Sequence, residues 1–150
     1  MVNKTEFVDS VNNMSADIEI AQLMDRLMRR IQAQLNSRAE DFDHHNLGPG
    51  GGILLLTLAE IEPARMHDIA RAMARDKSQM TRAVQSLERK GLVDRAACPD
   101  DARGSVLSLT DEGRATVTTL QSAVAGVLGD LLAPLDPDQT EALRQALRAL

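Results

Sequence analysis

Apolar positions recur three and four apart along most of this chain, and two clusters of chain breakers interrupt them. From residue 15 to about 42, Ile20, Leu23, Met24, Leu27, Met28, Ile31 and Leu35 predict one long helix with a single apolar stripe. "DFDHHNLGPGGG" then breaks the pattern with Pro49 and four glycines. "ILLLTLAEIE" is apolar almost all round, which predicts a short buried helix ended by Pro63. Met66, Ile69, Ala70 and Met73 make "MHDIARAM" a short amphipathic helix. Asp76 follows as an N-cap, and Gln79 at N3 predicts a reciprocal capping box. The helix it opens runs from Lys77 to about Lys90 and stops at Gly91, a natural C′ residue.

Period two takes over next. "LVDRA" and "SVLSL" alternate as two short strands around the turn "CPDDARG". Thr110 caps a long helix, "DEGRATVTTLQSAVAGVLGDLL", with Val117, Leu120, Val124, Val127, Leu128 and Leu131 on one side. Pro134 interrupts it. Asp136 as N-cap, Pro137 at N1 and Gln139 at N3 open a last helix to Leu150. The predicted fold class is mainly α with a small β-wing: a winged helix-turn-helix flanked by long helices. The chain reads as a single domain, residues 1–150. Residues 50–110 form the winged-helix lobe, between long helices over 15–45 and 111–150.

The helix after Asp76 divides by angle. At 100° per residue, Ala83, Val84 and Leu87 all fall within about 60° of Met80. Ser78, Arg82, Gln85 and Arg89 lie opposite, with Thr81 on one flank and Gln79 and Ser86 on the other. Arg suits guanine O6/N7, Gln suits adenine, and short hydroxyls suit phosphate. The helix N-terminus adds a partial positive charge that favours an anion. Lys77, Ser78, Gln79, Thr81, Arg82, Gln85 and Arg89 are therefore the candidate recognition residues. In the predicted wing, Arg103 stands near Asp101. Arginine is favoured in a narrow minor groove, and a neighbouring acid can orient its guanidinium.

Charge sharpens this reading. The net charge is −5, yet Arg65 to Arg95 holds eight basic residues and four acids. That segment carries +4 and the remainder −9, so one face suits a polyanion and the others repel it. Two phenylalanines are the only aromatics, leaving Leu, Ala, Val, Ile and Met to fill a helical core. The N-terminal stretch has no apolar leader pattern and the longest apolar run is short. The expectation is a cytoplasmic protein without a membrane partner. A single cysteine, Cys98, excludes an internal disulfide and a Cys-based zinc cluster.

Catalytic patterns are missing from the sequence. "GPGGGIL" lacks the Lys-Ser/Thr of a phosphate loop, and there is no G-x-S-x-G, C-x-x-C or H-E-x-x-H. No enzyme activity and no cofactor are expected. His44 and His45, with Asp41 and Asp43, are the weak metal candidates; adjacent histidines point apart and loop acids are normally solvated.

The segment "DIARAMARDKSQMTRAVQSLERKGLVDR" followed by "PDDARGSVLSLTDEGR" resembles the MarR family of bacterial transcription regulators. The matching features are Ser78, Thr81 and Arg82, the run "LERKGLVDR", Asp101 and Arg103 in the wing, and Leu109, Thr110 and Gly113. The family's wing more often reads D-R-R, and here Ala102 takes the place of the first Arg. The resemblance implies a sequence-specific regulator of double-stranded DNA, commonly a ligand-responsive repressor. It implies a homodimer built from the first and last two helices, on an inverted-repeat operator. The usual effector is a small anionic aromatic molecule, for which Arg38, Arg65 and His67 are candidate partners. Redox-sensing members carry a reactive cysteine near the start of the first long helix, and this chain has none there. The apolar stripes agree with a dimer, since one copy leaves Leu143, Leu147 and Leu150 underburied. The alternatives are a winged-helix interaction module without DNA binding, and a metal-responsive regulator.

Overall fold

The computed structural model describes residues 4–98 and 101–150, and the side chains of residues 15–98 and 104–150. The chain divides into two compact units, residues 1–37 and 38–150. The first is a single helix, α1 (Lys4–Ser37). It begins earlier than the periodicity predicts and ends sooner. Arg38 leaves helical geometry at φ −110° and ψ 8°, so the expected helix to residue 42 is cut, and α2 (Ala39–Phe42) is separate. On α1, Ile18, Ile20, Leu23, Met24 and Met28 are all exposed.

The second unit holds the remaining elements: α3 (Gly48–Ile61), β1 (Ala64–Arg65), α4 (Met66–Ala72), α5 (Lys77–Arg89), β2 (Val93–Cys98), β3 (Asp101–Leu109), α6 (Asp111–Leu132) and α7 (Pro137–Arg148). The glycine cluster is not loop. Gly48 to Gly52 form the first turns of α3, which begins with Pro49 at its start. The carboxylate of Asp43 accepts from the N–H groups of Leu47 and Gly48, at 2.7 and 2.9 Å, and satisfies donors that the helix leaves open.

The small sheet has the order β1-β3-β2, all antiparallel. Alternation in the sequence predicts only the hairpin. The two-residue β1 is too short to show a period, and it pairs Ala64 with Leu107 and Arg65 with Val106. The hairpin is longer than expected, because both strands run into the segment read as turn. Asp94 to Ala97 are all exposed, so the expected alternation fails once β2 leaves the core after Val93. The register shifts between Ala97 and Cys98, a local irregularity near the tip.

Leu54, Leu55 and Leu58 of α3, Ile69 of α4, Met80, Val84 and Leu87 of α5, Leu92, and Leu107 and Leu109 of β3 pack with Val117 and Leu120 of α6. Each fully buried leucine contributes about 1.5–3 kcal/mol relative to exposure. α6 is long and apolar enough to cross a membrane by length and composition alone. Its Gly113, Thr116, Val117, Leu120 and Val127 are buried within the protein.

Candidate nucleic-acid interface

Two helix ends of one design frame α5. After α4, Ala74 N–H donates to Arg71 O and Arg75 N–H to Ala70 O, with Ala74 at φ +49°. After α5, Gly91 N–H donates to Glu88 O and Leu92 N–H to Leu87 O, with Gly91 at φ +71°. Both are Schellman closures, which require a left-handed residue at C′. Glycine meets that requirement without strain, whereas Ala74 carries the Cβ penalty.

Asp76 caps α5, its Oδ1 accepting from Gln79 N–H at 2.9 Å and from the Ser78 hydroxyl. These bonds, the Ser78 hydroxyl first and the Gln79 amide second, hold the Asp76 carboxyl below its ordinary value. The reciprocal half of the expected box, from Gln79 to the Asp76 N–H, is not formed among the described residues. Gln79 instead stays exposed.

Beyond α5 the turn is locked to α6. Thr110 Oγ1 donates to Gly91 O at 2.7 Å and accepts from Gly113 N–H at 2.9 Å, while Thr110 N–H donates to Leu92 O. A Cβ on Gly113 would stand 2.1 Å from Leu92 O, so the two backbones meet only because residue 113 has no side chain. This contact is the physical content of the Thr110 and Gly113 spacing. Lys90 adds a second anchor, donating to the carbonyl of His45.

The inner face of α5 is then fixed. Met80, Val84 and Leu87 are 4%, 1% and 2% exposed. The outer face meets solvent: Lys77, Ser78, Gln79, Arg82, Gln85 and Arg89 are exposed and Thr81 is half-buried. Thr81 donates its hydroxyl back to Lys77 O at 2.8 Å. Among the described residues, Lys77, Arg82, Gln85 and Arg89 make no side-chain hydrogen bond or ion pair. Arg95 and Arg114 are engaged, with Glu88 and Glu62 respectively. One helix thus carries a row of uncommitted polar and cationic side chains.

Between α5 and the hairpin runs a groove of about 460 Å³, walled by Arg65, His67, Lys77, Gln85, Arg95 and Ser105 among others. Arg65 and His67 share it, and Arg38 is not among its walls. Arg38 instead pairs with Asp130 of α6 at 2.7 Å. His67 Nε2 lies 3.1 Å from Asp68 Oδ1. The sequence reading missed Glu88, Arg95 and Ser105 as groove residues. Its only signal was an acid and an arginine seven apart across the α5–β2 turn.

Asp101 and Arg103 fall in β3, but their side chains lie outside the described residues, as do Pro99 and Asp100. Cys98 stands at the tip end of β2, opposite Asp101. It is 7% exposed, and its Sγ accepts from Arg65 Nη2 at 2.9 Å. His44 and His45 find no metal constellation: among the described residues no three His, Cys, Asp or Glu side chains converge. His45 Nε2 lies 3.1 Å from Glu112 Oε1, and the Asp43 carboxylate is occupied by backbone donors.

Comparison with known proteins supports this geometry. Residues 53–105 match the MarR family model. The uncharacterized HTH-type transcriptional regulator YdgJ of Bacillus subtilis (strain 168) is 27% identical over 94 residues, 63% of this chain and 57% of YdgJ. The chain thus spans little more than half the length of that curated relative. A probable transcriptional regulator from Pseudomonas aeruginosa superposes with a TM-score of 0.69 at 29% identity, covering 89% of this chain and 98% of that one. A mutant MarR from E. coli, solved in complex with operator DNA, superposes at 0.71 with 20% identity, covering 89% and 94%. By the matched segment and by its fold, the winged-helix lobe of this chain is similar to regulators of the MarR family.

Proposed function

We propose that the protein is a sequence-specific regulator of transcription that binds double-stranded DNA. One observation carries the reading: α5 buries Met80, Val84 and Leu87 and turns Lys77, Ser78, Gln79, Arg82, Gln85 and Arg89 outward, and among the described residues the side chains of Lys77, Arg82, Gln85 and Arg89 make no hydrogen bond or ion pair. Guanidinium and amide groups on a helix of this width suit base edges and phosphates in a major groove. The operator-bound relative from E. coli lends the same use to this fold. The wing residues Asp101 and Arg103 would reach the adjacent minor groove.

The active form in this reading is a homodimer acting as a repressor in the cytoplasm. Exposed apolar residues on α1 and α7 supply the faces for a second copy, with Leu147 57% and Leu150 96% exposed. Residues 15–45 and 111–150 serve dimerisation and residues 50–110 serve DNA. Two α5 helices related by a twofold axis read an inverted repeat about 34 Å from centre to centre. A small anionic aromatic effector, held by Arg65 and His67 in the groove beside α5, relieves repression. Arg38, committed to Asp130, contributes less.

The test is enrichment of duplexes from a randomised pool, followed by fluorescence anisotropy with Arg82→Ala. The expected outcome is an enriched inverted repeat whose affinity falls by about tenfold or more in the variant, equivalent to 1–3 kcal/mol for one base contact. No enriched duplex, or an Arg82→Ala protein that binds like wild type, would contradict the assignment.

A further inference from the structure

One guanidinium in the second unit joins three elements. Arg95, on β2, donates from Nε to Glu88 Oε1 at 2.8 Å and from Nη2 to Glu88 Oε2 at 3.2 Å. Its Nη1 donates to Ser105 Oγ on β3 at 3.0 Å. Glu88 belongs to the last turn of α5. The planar fork of arginine therefore ties the helix to both strands of the hairpin in a fixed orientation.

The surroundings say what this tie is for. β2 leaves the core after Val93, and Asp94 to Ala97 are exposed before Cys98 is buried again, so no buried side chain fixes this middle stretch of β2. Within that stretch, the Arg95 side chain reaches across to Glu88 of α5. Arg95 is turned away from the task of its cationic neighbours. Arg82 and Arg89 are uncommitted, whereas Arg95 spends all three of its nitrogens on the protein. The Glu88 carboxylate, accepting its hydrogen bonds, raises the Arg95 guanidinium above its ordinary value.

We propose that Glu88 and Arg95 are positioning residues that hold the hairpin at one angle to α5, so that both reach a duplex as a single rigid body. This rests on the DNA-binding reading above. Neither side chain touches DNA in this account. A ligation that only added stability would not care which DNA was bound, whereas an angle between two reading elements does. Sequence-specific contacts need both elements in register; non-specific attraction to phosphates needs only charge.

The experiment uses the full chain, the duplex enriched from a randomised pool by the wild-type protein, and a scrambled duplex of equal composition and length. Glu88→Gln and Arg95→Lys are compared with wild type at a temperature where circular dichroism shows all proteins folded. Arg95→Lys keeps the charge and loses the fork. Each variant is expected to lose about tenfold in affinity for the enriched duplex while its affinity for the scrambled one changes less than about twofold. The charge-reversed double variant Glu88→Arg/Arg95→Glu rebuilds the pair and is expected to recover most of the loss. Single variants that bind the enriched duplex like wild type would overturn the proposal. So would an equal loss on both duplexes, which would make Arg95 a phosphate contact. A wild-type chain that enriches no duplex overturns the DNA reading itself and the positioning role with it, an outcome visible before any variant is measured.

Discussion

α5 and α7 begin alike and end with opposite fates. Each is amphipathic, each opens on an aspartate that accepts from the amide of a glutamine at N3, and they are 13 and 12 residues long. In α7 the capping box closes in both directions, with Asp136 N–H donating to Gln139 Oε1 at 3.1 Å. In α5 only one direction forms, and Gln79 is left to solvent. On the apolar face of α5, Met80, Val84 and Leu87 are buried by its own chain; α7 buries no residue at all. Amphipathicity announces that a helix needs a partner without saying where the partner is. For α5 the partner is the lobe core, so its polar face is left for the ligand. For α7 the apolar face is itself the part left open, and a second copy is the occupant proposed here.

The comparison breaks most completely at the junction that locks α5 in place. Gly113→Ala puts a Cβ against Leu92 O, an unyielding backbone atom, and is expected to cost about 3 kcal/mol or more. Chemical denaturation would show it as a large fall in midpoint, and an unchanged midpoint would remove the proposed lock. Next come the apolar faces themselves. Leu87→Ala opens a cavity in the core and should cost about 2–5 kcal/mol at any protein concentration. Leu147→Asp should leave the lobe folded, yet convert the proposed dimer to monomer in sedimentation and make the melting temperature independent of concentration. Equal behaviour of the two variants would erase the distinction between a covered and an open face.

Acid sharpens the contrast in capping. The Asp76 carboxyl is held below its ordinary value in the folded chain, so its ionised form favours folding. That contribution is complete above the unfolded value of about 3.9 and is lost as pH falls from there through the lowered folded value. Asp76→Asn should flatten the melting temperature against pH in this acid window relative to wild type. The smallest effect concerns the turn before α5. Ala74→Gly relieves the left-handed alanine and is expected to stabilise by about 0.5–1 kcal/mol, read by denaturant titration. A loss of stability instead would mean that the alanine methyl packs usefully there.

Much of this was legible in the residues. The angular partition of α5, the cap at Asp76, the stop at Gly91 and the bounds of α6 depend on local rules, and the structure follows them. Three features were not legible, for physical reasons. β1 is two residues long and owes its existence to pairing with β3, a non-local event. The glycines after Pro49 are helical because tertiary packing overrides a propensity cost of about 1 kcal/mol for each. The Glu88–Arg95–Ser105 tie joins residues whose spacing has no period, so it emerges only when the hairpin folds beside α5.

Sedimentation equilibrium of the protein with the labelled, enriched duplex reads both faces of the comparison at once. Two chains per duplex for wild type, and a sharp loss of binding for Leu147→Asp, are the predicted results. One chain per duplex with undiminished affinity, or no association with the duplex at all, would contradict the account.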